Sequence, residues 1–364
     1  MTKLVSLFLL VPIILVLFHF VDVNDYYYNS NNQYDTGGLQ SEKLRKLKTL
    51  IEHMLDVEYN NEQYKEGRVL FKMKLNSFGE VPAAEFANRI NGYRKFTNTI
   101  KGLYKSQLFF RRASNVMVPT STDWRSKRAV TAVKDQGHCG SCWAFSAVGA
   151  LESQMFIRTG QLVSLSEQNL IDCSSDYGNK GCSGGFMEAA YQYIIDNGGI
   201  NTEKSYKYEA RDGKCRYKKL KDEANMRDYI AIHEGNETQL MEAVATVGPI
   251  AAAMHASLTS FQFYSEGVYY DPNCNSRRLD HGVLVIGYGT TEDGIDYWLV
   301  KNSYGQAYDS IKREELLKAM LTLGAPKKLV RLTKMTLAGS SCKVKVHGLL
   351  SDAFSVKDGG KHGN

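Results

Sequence analysis

Residues Gln136-Gly-His-Cys-Gly-Ser-Cys-Trp-Ala-Phe145 decide the fold of this 364-residue chain, because they place a cysteine at the start of an amphipathic helix. Apolar residues recur at helical spacing after Cys142, and Thr159-Gly160 is a typical helix end, so the pattern predicts a helix from Cys142 to Arg158. A helix N-terminus stabilises negative charge, which predicts a depressed pKa for the Cys142 thiol. The Gln136 amide lies six residues earlier, where it could donate a hydrogen bond to an oxyanion.

A second stretch of sequence supplies a histidine and an asparagine. His281 precedes the apolar run Gly282–Gly289, which is typical of a buried strand, and Thr290–Gly294 is a turn cluster. A return strand over Ile295–Val300 then leads to Asn302. A lone histidine is more often an ordinary core or surface residue, but this hairpin would place His281 and Asn302 side by side. The imidazole could then take the thiol proton while the Asn302 oxygen orients it.

Composition and the N-terminus indicate the secretory pathway. Lys3 precedes an apolar run from Leu4 to Val21, which predicts a signal peptide over residues 1–21. The run is also long enough for an uncleaved anchor, and no second run could span a bilayer. Seven cysteines and the glycosylation sequon Asn236-Glu-Thr238 agree with an oxidising compartment, so we expect a lysosomal or extracellular protein. The net charge of +6 does not by itself imply nucleic acid, and neither a nucleic-acid partner, a cofactor nor a metal is expected.

The stretch Cys139-Gly-Ser-Cys-Trp143, with His281 and Asn302 lying 139 and 160 residues beyond Cys142, resembles the nucleophile signature of papain-family cysteine peptidases, in the cathepsin L branch. The resemblance covers roughly residues 42–302. It implies an α+β, papain-like fold of two lobes, the left helical and the right β-barrel-like, preceded by a helical propeptide. The cleft between the lobes would have Cys142 on one wall and His281 on the other. The implied activity is that of a cysteine endopeptidase, made as a zymogen and acting on proteins or peptides.

The same resemblance assigns further residues. It implies disulfides between Cys139 and Cys182 and between Cys173 and Cys215, which leaves Cys142 free. Cys274 loses its family partner. Glycines let the substrate backbone approach, and apolar side chains would line the pocket for the second residue before the cleaved bond, which predicts a preference for a hydrophobic residue there. The glycines are Gly184 and Gly185, and the pocket residues are Phe186, Met187, Ala253 and Leu279. Phe186 and Met187 are equally consistent with plain helix core.

Three further segments complete the predicted organisation. Residues 22–40 are rich in Tyr, Asn, Asp and Gly, which predicts a disordered linker. Residues 41–117 resemble the family's inhibitory propeptide and residues 118–304 its peptidase domain. In the propeptide, Lys74–Glu80 resembles the family's Asn-x-Phe-x-Asp motif, and six residues follow helical steps: Glu42, Lys46, Leu50, His53, Val57 and Asn61. In the peptidase domain, Ser164-Leu-Ser-Glu167 is a capping-box pattern that predicts a short helix.

The resemblance ends after Asn302. Tyr304 stands where the family has a tryptophan that shields the histidine–asparagine pair, so we expect that pair to be close but poorly shielded. Residues 305–364 resemble a palm fragment of a retrotransposon reverse transcriptase without its two acidic clusters, so metal-dependent polymerisation is not expected. The right lobe should therefore be incomplete. Two functions remain open: an active endopeptidase, or a catalytically impaired or dead remnant that at most binds peptides or partners.

Overall fold

A computed structural model describes residues 37–94, 108–112, 117–219 and 224–305, together with four two-residue strands between residues 341 and 355. The chain divides into two compact units. The first unit comprises residues 1–55, 75–80 and 310–364, and the second comprises residues 56–74 and 81–309.

The first unit contains most of helix α1, which runs from Gly37 to Lys65. Leu50 is buried on this helix. His53 is also buried, and its Nδ1 lies 2.8 Å from the carbonyl oxygen of Gly79. The helix begins inside the segment predicted as linker, so the prediction of disorder is wrong for residues 37–40. A glycine pair usually opposes a helix, but here the strongly helical sequence that follows extends it backwards by one turn.

The tail of the chain also belongs to the first unit. Its described parts are two antiparallel pairs of short strands, β7 (Ser341–Cys342) with β10 (Phe354–Ser355) and β8 (Lys345–Val346) with β9 (Leu349–Leu350). The rest of the predicted reverse transcriptase-like segment, the predicted signal peptide and residues 22–36 of the predicted linker lie outside the described residues.

The second unit holds the remaining elements. In chain order, after the end of α1, they are β1 (Phe71–Met73), α2 (Ala83–Ile90), β2 (Thr122–Asp123), α3 (Cys142–Thr159), α4 (Glu167–Cys173), α5 (Met187–Asn197), α6 (Glu237–Thr246), β3 (Ile250–Met254), α7 (Thr259–Gln262), β4 (Tyr264–Gly267), β5 (His281–Thr290) and β6 (Asp296–Lys301). Strands β1 and β4 form an antiparallel pair of their own.

Helix α3 lies at the centre of the helical lobe, as its apolar spacing predicts. Trp143, Ala147 and Leu151 are buried against helices α4 and α5. Helix α4 begins later than the capping-box pattern suggests, because Ser166 is its N-cap and accepts a hydrogen bond from the Asn169 N–H at 3.0 Å. Two disulfides hold the loops of this lobe, Cys139–Cys182 and Cys173–Cys215, and among the described cysteines Cys142 and Cys274 are free.

The strand lobe is organised around β5, which is buried from His281 to Gly289. Strand β3 pairs antiparallel with its first half and β2 with its second half, while β6 pairs with its other edge. The turn between β5 and β6 lies where the sequence predicts it. Within the described residues the four strands form an open sheet and no closed barrel, as expected for an incomplete right lobe of an α+β, papain-like fold. In this part of the chain β6 has no further strand along its outer edge.

Among the described helices, none has both the length and the apolar composition needed to cross a bilayer.

Candidate active site

Cys142 opens helix α3 and is completely buried. Its sulfur accepts two backbone hydrogen bonds at 3.2 Å, one from the Gly92 N–H and one from the Gly282 N–H. Burial raises the pKa of the Cys142 thiol to about 11, although the backbone N–H groups act in the opposite direction. The predicted depression of this pKa is therefore wrong for the chain in this state. The helix terminus does favour the thiolate, but desolvation of the sulfur outweighs it.

His281 and Asn302 meet as the hairpin predicts. His281 Nε2 lies 2.8 Å from Asn302 Oδ1. The Ser303 N–H donates to the same oxygen at 2.8 Å, which identifies that atom as the acceptor. Nε2 of the neutral ring therefore carries the proton and Nδ1 carries the lone pair, as a base for a thiol requires. Burial lowers the pKa of His281 to about 4, against the opposing effect of the Asn302 hydrogen bond.

Tyr304 covers this pair, so the expectation of poor shielding is wrong. His281 has no exposed surface and Tyr304 is 8% exposed. The phenol ring lies 5.0 Å from the imidazole, centroid to centroid, and Phe86 packs edge-on against the phenol at 5.9 Å. The Tyr304 hydroxyl, which a tryptophan would lack, donates to Asn91 Oδ1 at 3.3 Å and lies 3.5 Å from His281 Nδ1. The Tyr304 ring is smaller than a tryptophan ring, but it still covers the His281–Asn302 pair, and its hydroxyl can be buried because Asn91 accepts its hydrogen bond.

Gln136 is held with its amide N–H groups facing the site. Its Nε2 donates to the carbonyl oxygen of Ile90 at 2.8 Å and to that of Cys139 at 2.9 Å. Its Oε1 accepts a hydrogen bond from the Ser303 hydroxyl at 2.7 Å. Because the oxygen is occupied by a donor, the amide cannot flip without losing a buried hydrogen bond. This geometry suits a group that donates to a carbonyl or an oxyanion.

A short ladder joins the two sides of the site beneath these side chains. The Gln136 N–H donates to the Ser303 carbonyl at 2.8 Å, and the Gly305 N–H donates to the Lys134 carbonyl at 3.0 Å. Asp135 and Tyr304 form the antiparallel bridge between these two bonds. No local sequence pattern indicates this pairing, since it joins residues far apart in the chain.

Residues Ile90–Arg94, here called the cleft segment, cross the site between Cys142 and the loop that contains Gly184 and Gly185. The Tyr93 N–H donates to the Asp280 carbonyl at 2.9 Å. The Gly185 N–H donates to the Gly92 carbonyl at 2.8 Å, and the Arg94 N–H donates to the Gly185 carbonyl at 3.0 Å, as a parallel bridge. The cleft segment was missed by sequence reasoning, although Asn91-Gly92 is a recognisable turn dipeptide.

Two glycines explain how the main chains can come so close. A Cβ on Gly92 would lie 1.7 Å from the Gly140 carbonyl oxygen, and a Cβ on Gly184 would lie 2.6 Å from the Gly92 carbonyl oxygen. A Cβ on Gly185 would instead meet the Trp143 ring at 2.8 Å. Gly184 thus admits the main chain of the cleft segment, while Gly185 is required by packing inside the helical lobe.

Three of the four predicted pocket residues belong to or pack against the apolar cluster of the helical lobe. Met187 is buried in the same apolar cluster as Tyr93, and Ala253 and Leu279 pack against that cluster. Phe186 is buried as well, but it is not a member of that cluster and its ring edge lies beside Gly178. Tyr93 of the cleft segment is buried in the same cluster as Met187.

Comparisons with known proteins agree with this geometry. Residues 118–311 match the family described as papain family cysteine protease. The chain is 50% identical to a cathepsin L-like peptidase of Aedes aegypti over 272 residues, which are 74% of this chain and 80% of the relative. It is 51% identical to cathepsin L1 of Drosophila melanogaster over 273 residues, 74% of this chain and 73% of the relative. Digestive procathepsin L 3 of the Tenebrio molitor larval midgut superposes with a TM-score of 0.65 at 39% identity, over 75% of this chain and 85% of that chain.

Proposed function

This chain belongs to the papain family of cysteine proteases, and from that premise we propose that Cys142, His281, Asn302 and Gln136 carry out its peptide hydrolysis. The chain is a cysteine endopeptidase produced as a zymogen. The observation that supports the proposal most strongly is the position of the cleft segment. The Gly92 N–H of this segment donates a hydrogen bond to the Cys142 sulfur, and its Ile90 carbonyl accepts one from the Gln136 amide. A peptide main chain therefore fits against both groups, as a substrate main chain would.

The proposed reaction follows from these contacts. His281 Nδ1 takes the Cys142 proton, and the sulfur forms a bond to the carbonyl carbon of the substrate. The Gln136 amide and the Cys142 N–H stabilise the resulting oxyanion. The C–N bond then breaks as His281 returns the proton to the leaving amine, and water, deprotonated by His281, hydrolyses the thioester. Asn302 keeps the imidazole in the correct tautomer throughout.

The same site supports a proposal about specificity and control. Met187, Ala253 and Leu279, which belong to or pack against the same apolar cluster as Tyr93, favour a hydrophobic residue at the second position before the cleaved bond. Residues 41–117 act as an intramolecular inhibitor through the cleft segment, and residues 118–304 form the peptidase domain. The apolar run Leu4–Val21 and the disulfides favour a lysosomal or extracellular location.

A second candidate is a catalytically impaired remnant that binds peptides. It is favoured by the open sheet of the strand lobe, in which β6 has no outer strand within the described residues. An active enzyme should turn over a peptide with phenylalanine or leucine at that second position with kcat on the order of 1–10 per second. A remnant would bind the same peptide but cleave it orders of magnitude more slowly.

The experiment is acid treatment of the full chain, followed by a kinetic assay on that peptide. Cys142→Ser should abolish turnover, whereas Cys274→Ser, the matched change at the other free cysteine, should leave it unchanged. Equal turnover in the Cys142→Ser variant and the parent would overturn the assignment of the nucleophile. Tight binding of the peptide without turnover by the parent would support the remnant instead.

A further inference from the structure

Residues Leu108–Arg112, here called the junction segment, lie against the surface of the strand lobe. The Ala231 N–H donates to the Leu108 carbonyl at 3.1 Å, and the Phe110 N–H donates to the Ala231 carbonyl at 2.9 Å. Phe109 and Ala231 thereby form a parallel bridge. Both hydrogen bonds of this bridge are made by one residue of the receiving surface, Ala231.

Three side chains of the receiving surface make further contacts with the junction segment. The Phe109 ring stacks on the His233 ring with centroids 4.1 Å apart and planes inclined by 14°. The Gln239 Nε2 donates to the Phe110 carbonyl at 2.7 Å. Arg112 Nε forms an ion pair with Glu242 Oε1 at 3.2 Å. The contacts combine an aromatic stack, a main-chain hydrogen bond and an ion pair. Together they specify an aromatic residue with a basic residue three positions later.

The receiving surface is organised by its own hydrogen bonds. Gln239 Oε1 accepts from the His233 N–H at 2.7 Å and lies 3.0 Å from His233 Nδ1, so the amide nitrogen must face outwards. Asn236 caps helix α6 by accepting from the Gln239 N–H at 2.9 Å. Glu242 follows on the same helix. Because His233, Asn236 and Gln239 are fixed by each other and not by the junction segment, little ordering of these three residues is needed when a ligand binds.

We propose that Ala231, His233, Gln239 and Glu242 form an exosite of the peptidase domain that binds extended aromatic–basic segments. In the zymogen the junction segment occupies it in cis. The exosite shares no residue with the cleft, so the segment before Val118 is attached to the enzyme independently of the cleft segment. Once processing removes the junction segment, the exosite is free to hold Phe-Phe-Arg-Arg-like stretches of protein substrates.

The first test measures protection of the junction segment in the full chain. A Cys142→Ser background removes self-cleavage, and trypsin cleavage after Arg111 and Arg112 is resolved by mass spectrometry. Gln239→Ala should speed these two cleavages roughly fivefold, the effect of losing one hydrogen bond. Phe109→Ala should speed the same two cleavages by a similar factor, because it removes the stack on His233 from the junction segment and leaves the exosite residues unchanged. Glu237→Gln, an exposed neighbour in the first turn of α6, should change nothing.

Unchanged cleavage in both Gln239→Ala and Phe109→Ala would overturn the proposal, as would equal acceleration by Glu237→Gln. Thermal unfolding of each variant distinguishes loss of the exosite from loss of the fold.

The second test asks whether the exosite binds in trans. In a full chain carrying Cys142→Ser, Phe109→Ala and Arg112→Ala, the weakened junction segment leaves the exosite accessible. A fluorescent peptide with the sequence of residues 106–114 should then bind saturably by anisotropy, and adding Gln239→Ala should weaken its binding roughly fivefold. Binding that is absent, or that is indifferent to Gln239→Ala, would overturn the proposal. Neither test depends on peptidase activity.

Discussion

Cys142 and Asn302 lie on opposite walls of the cleft, and the two walls are built differently. Cys142 begins a helix that is buried through most of its first three turns. Asn302 follows β6, whose residues are all exposed or partly exposed and which pairs with β5 along one edge. The nucleophile is thus positioned by close packing, whereas the base and its orienting group depend on a few hydrogen bonds and on Tyr304. The comparison teaches that close packing positions the nucleophile, while single polar contacts orient the groups that act with it.

The largest effects should come from single polar groups on each wall. Gln136→Ala removes an oxyanion donor and should lower kcat about 100- to 1,000-fold. Asn302→Ala leaves the His281 tautomer unspecified and should lower kcat about 100-fold or more. Only Asn302→Ala should also alter the pH profile of kcat/KM, since it changes the proton acceptor of His281. Steady-state kinetics after acid processing measure both. A kcat within threefold of the parent in either variant would contradict the assigned role.

The next largest effect concerns the cleft segment, which contacts both Cys142 and the loop before His281. Gly92→Ala places a methyl group where a Cβ would lie 1.7 Å from the Gly140 carbonyl oxygen. Backbone cannot yield there, so we expect the cleft segment to be expelled and inhibition by the propeptide to weaken roughly 100-fold, the effect of about 3 kcal/mol of overpacking. Inhibition of the processed enzyme by synthetic peptides of residues 81–94 measures this. Asn88→Ala, at an exposed helical position of the same peptide, is the matched control and should leave inhibition unchanged. Unaltered inhibition by the Gly92→Ala peptide would show that the cleft segment is not the inhibitory element.

Acidity should open the site through His281. Its pKa is about 4 in the closed chain, against an ordinary value of 6.5. Because burial depresses this pKa, the neutral imidazole stabilises the closed state fully above pH 6.5, and that stabilisation is lost as the pH falls from 6.5 towards 4. We expect alkylation of Cys142 by iodoacetamide in the full chain to accelerate up to about 100-fold over this range, relative to exposed Cys274. Mass spectrometry of the two cysteines measures the ratio. A ratio that stays constant with pH would mean that His281 does not govern opening.

The smallest effects concern Tyr304. Tyr304→Phe keeps the ring over His281 and removes only the long contacts of its hydroxyl, so kcat should change no more than about threefold. Tyr304→Ala exposes the His281–Asn302 hydrogen bond to water and should lower kcat about tenfold and reduce Tm by several degrees. Comparing kcat and Tm of these two variants separates the contribution of the Tyr304 ring from that of its hydroxyl. If Tyr304→Phe matched Tyr304→Ala, the hydroxyl and not the ring would be the shield.

The sequence predicts the helix at Cys142 and the hairpin of His281 and Asn302 because both rest on local periodicity and turn chemistry. It does not predict the raised pKa of Cys142, since that comes from burial of the sulfur by long-range contacts. The Gly92 N–H, fifty residues earlier in the chain, contacts the sulfur and by itself lowers this pKa. It also does not predict that Tyr304 is buried. The neighbour that covers it, Phe86, lies in helix α2 and is joined to it only by tertiary packing. Local pattern thus identifies the reacting groups, while their solvation depends on long-range contacts.

The ladder between Lys134–Gln136 and Ser303–Gly305 also has a consequence for how the C-terminal part of such a chain can change in evolution. Every described hydrogen bond that orients Gln136, His281 and Asn302 is made by a residue no later than Gly305. A recombination event or a shift of reading frame just beyond this glycine would therefore spare the orientation of the reacting groups. The position is a natural breakpoint at which a gene can acquire a new ending while the catalytic arrangement is inherited unchanged.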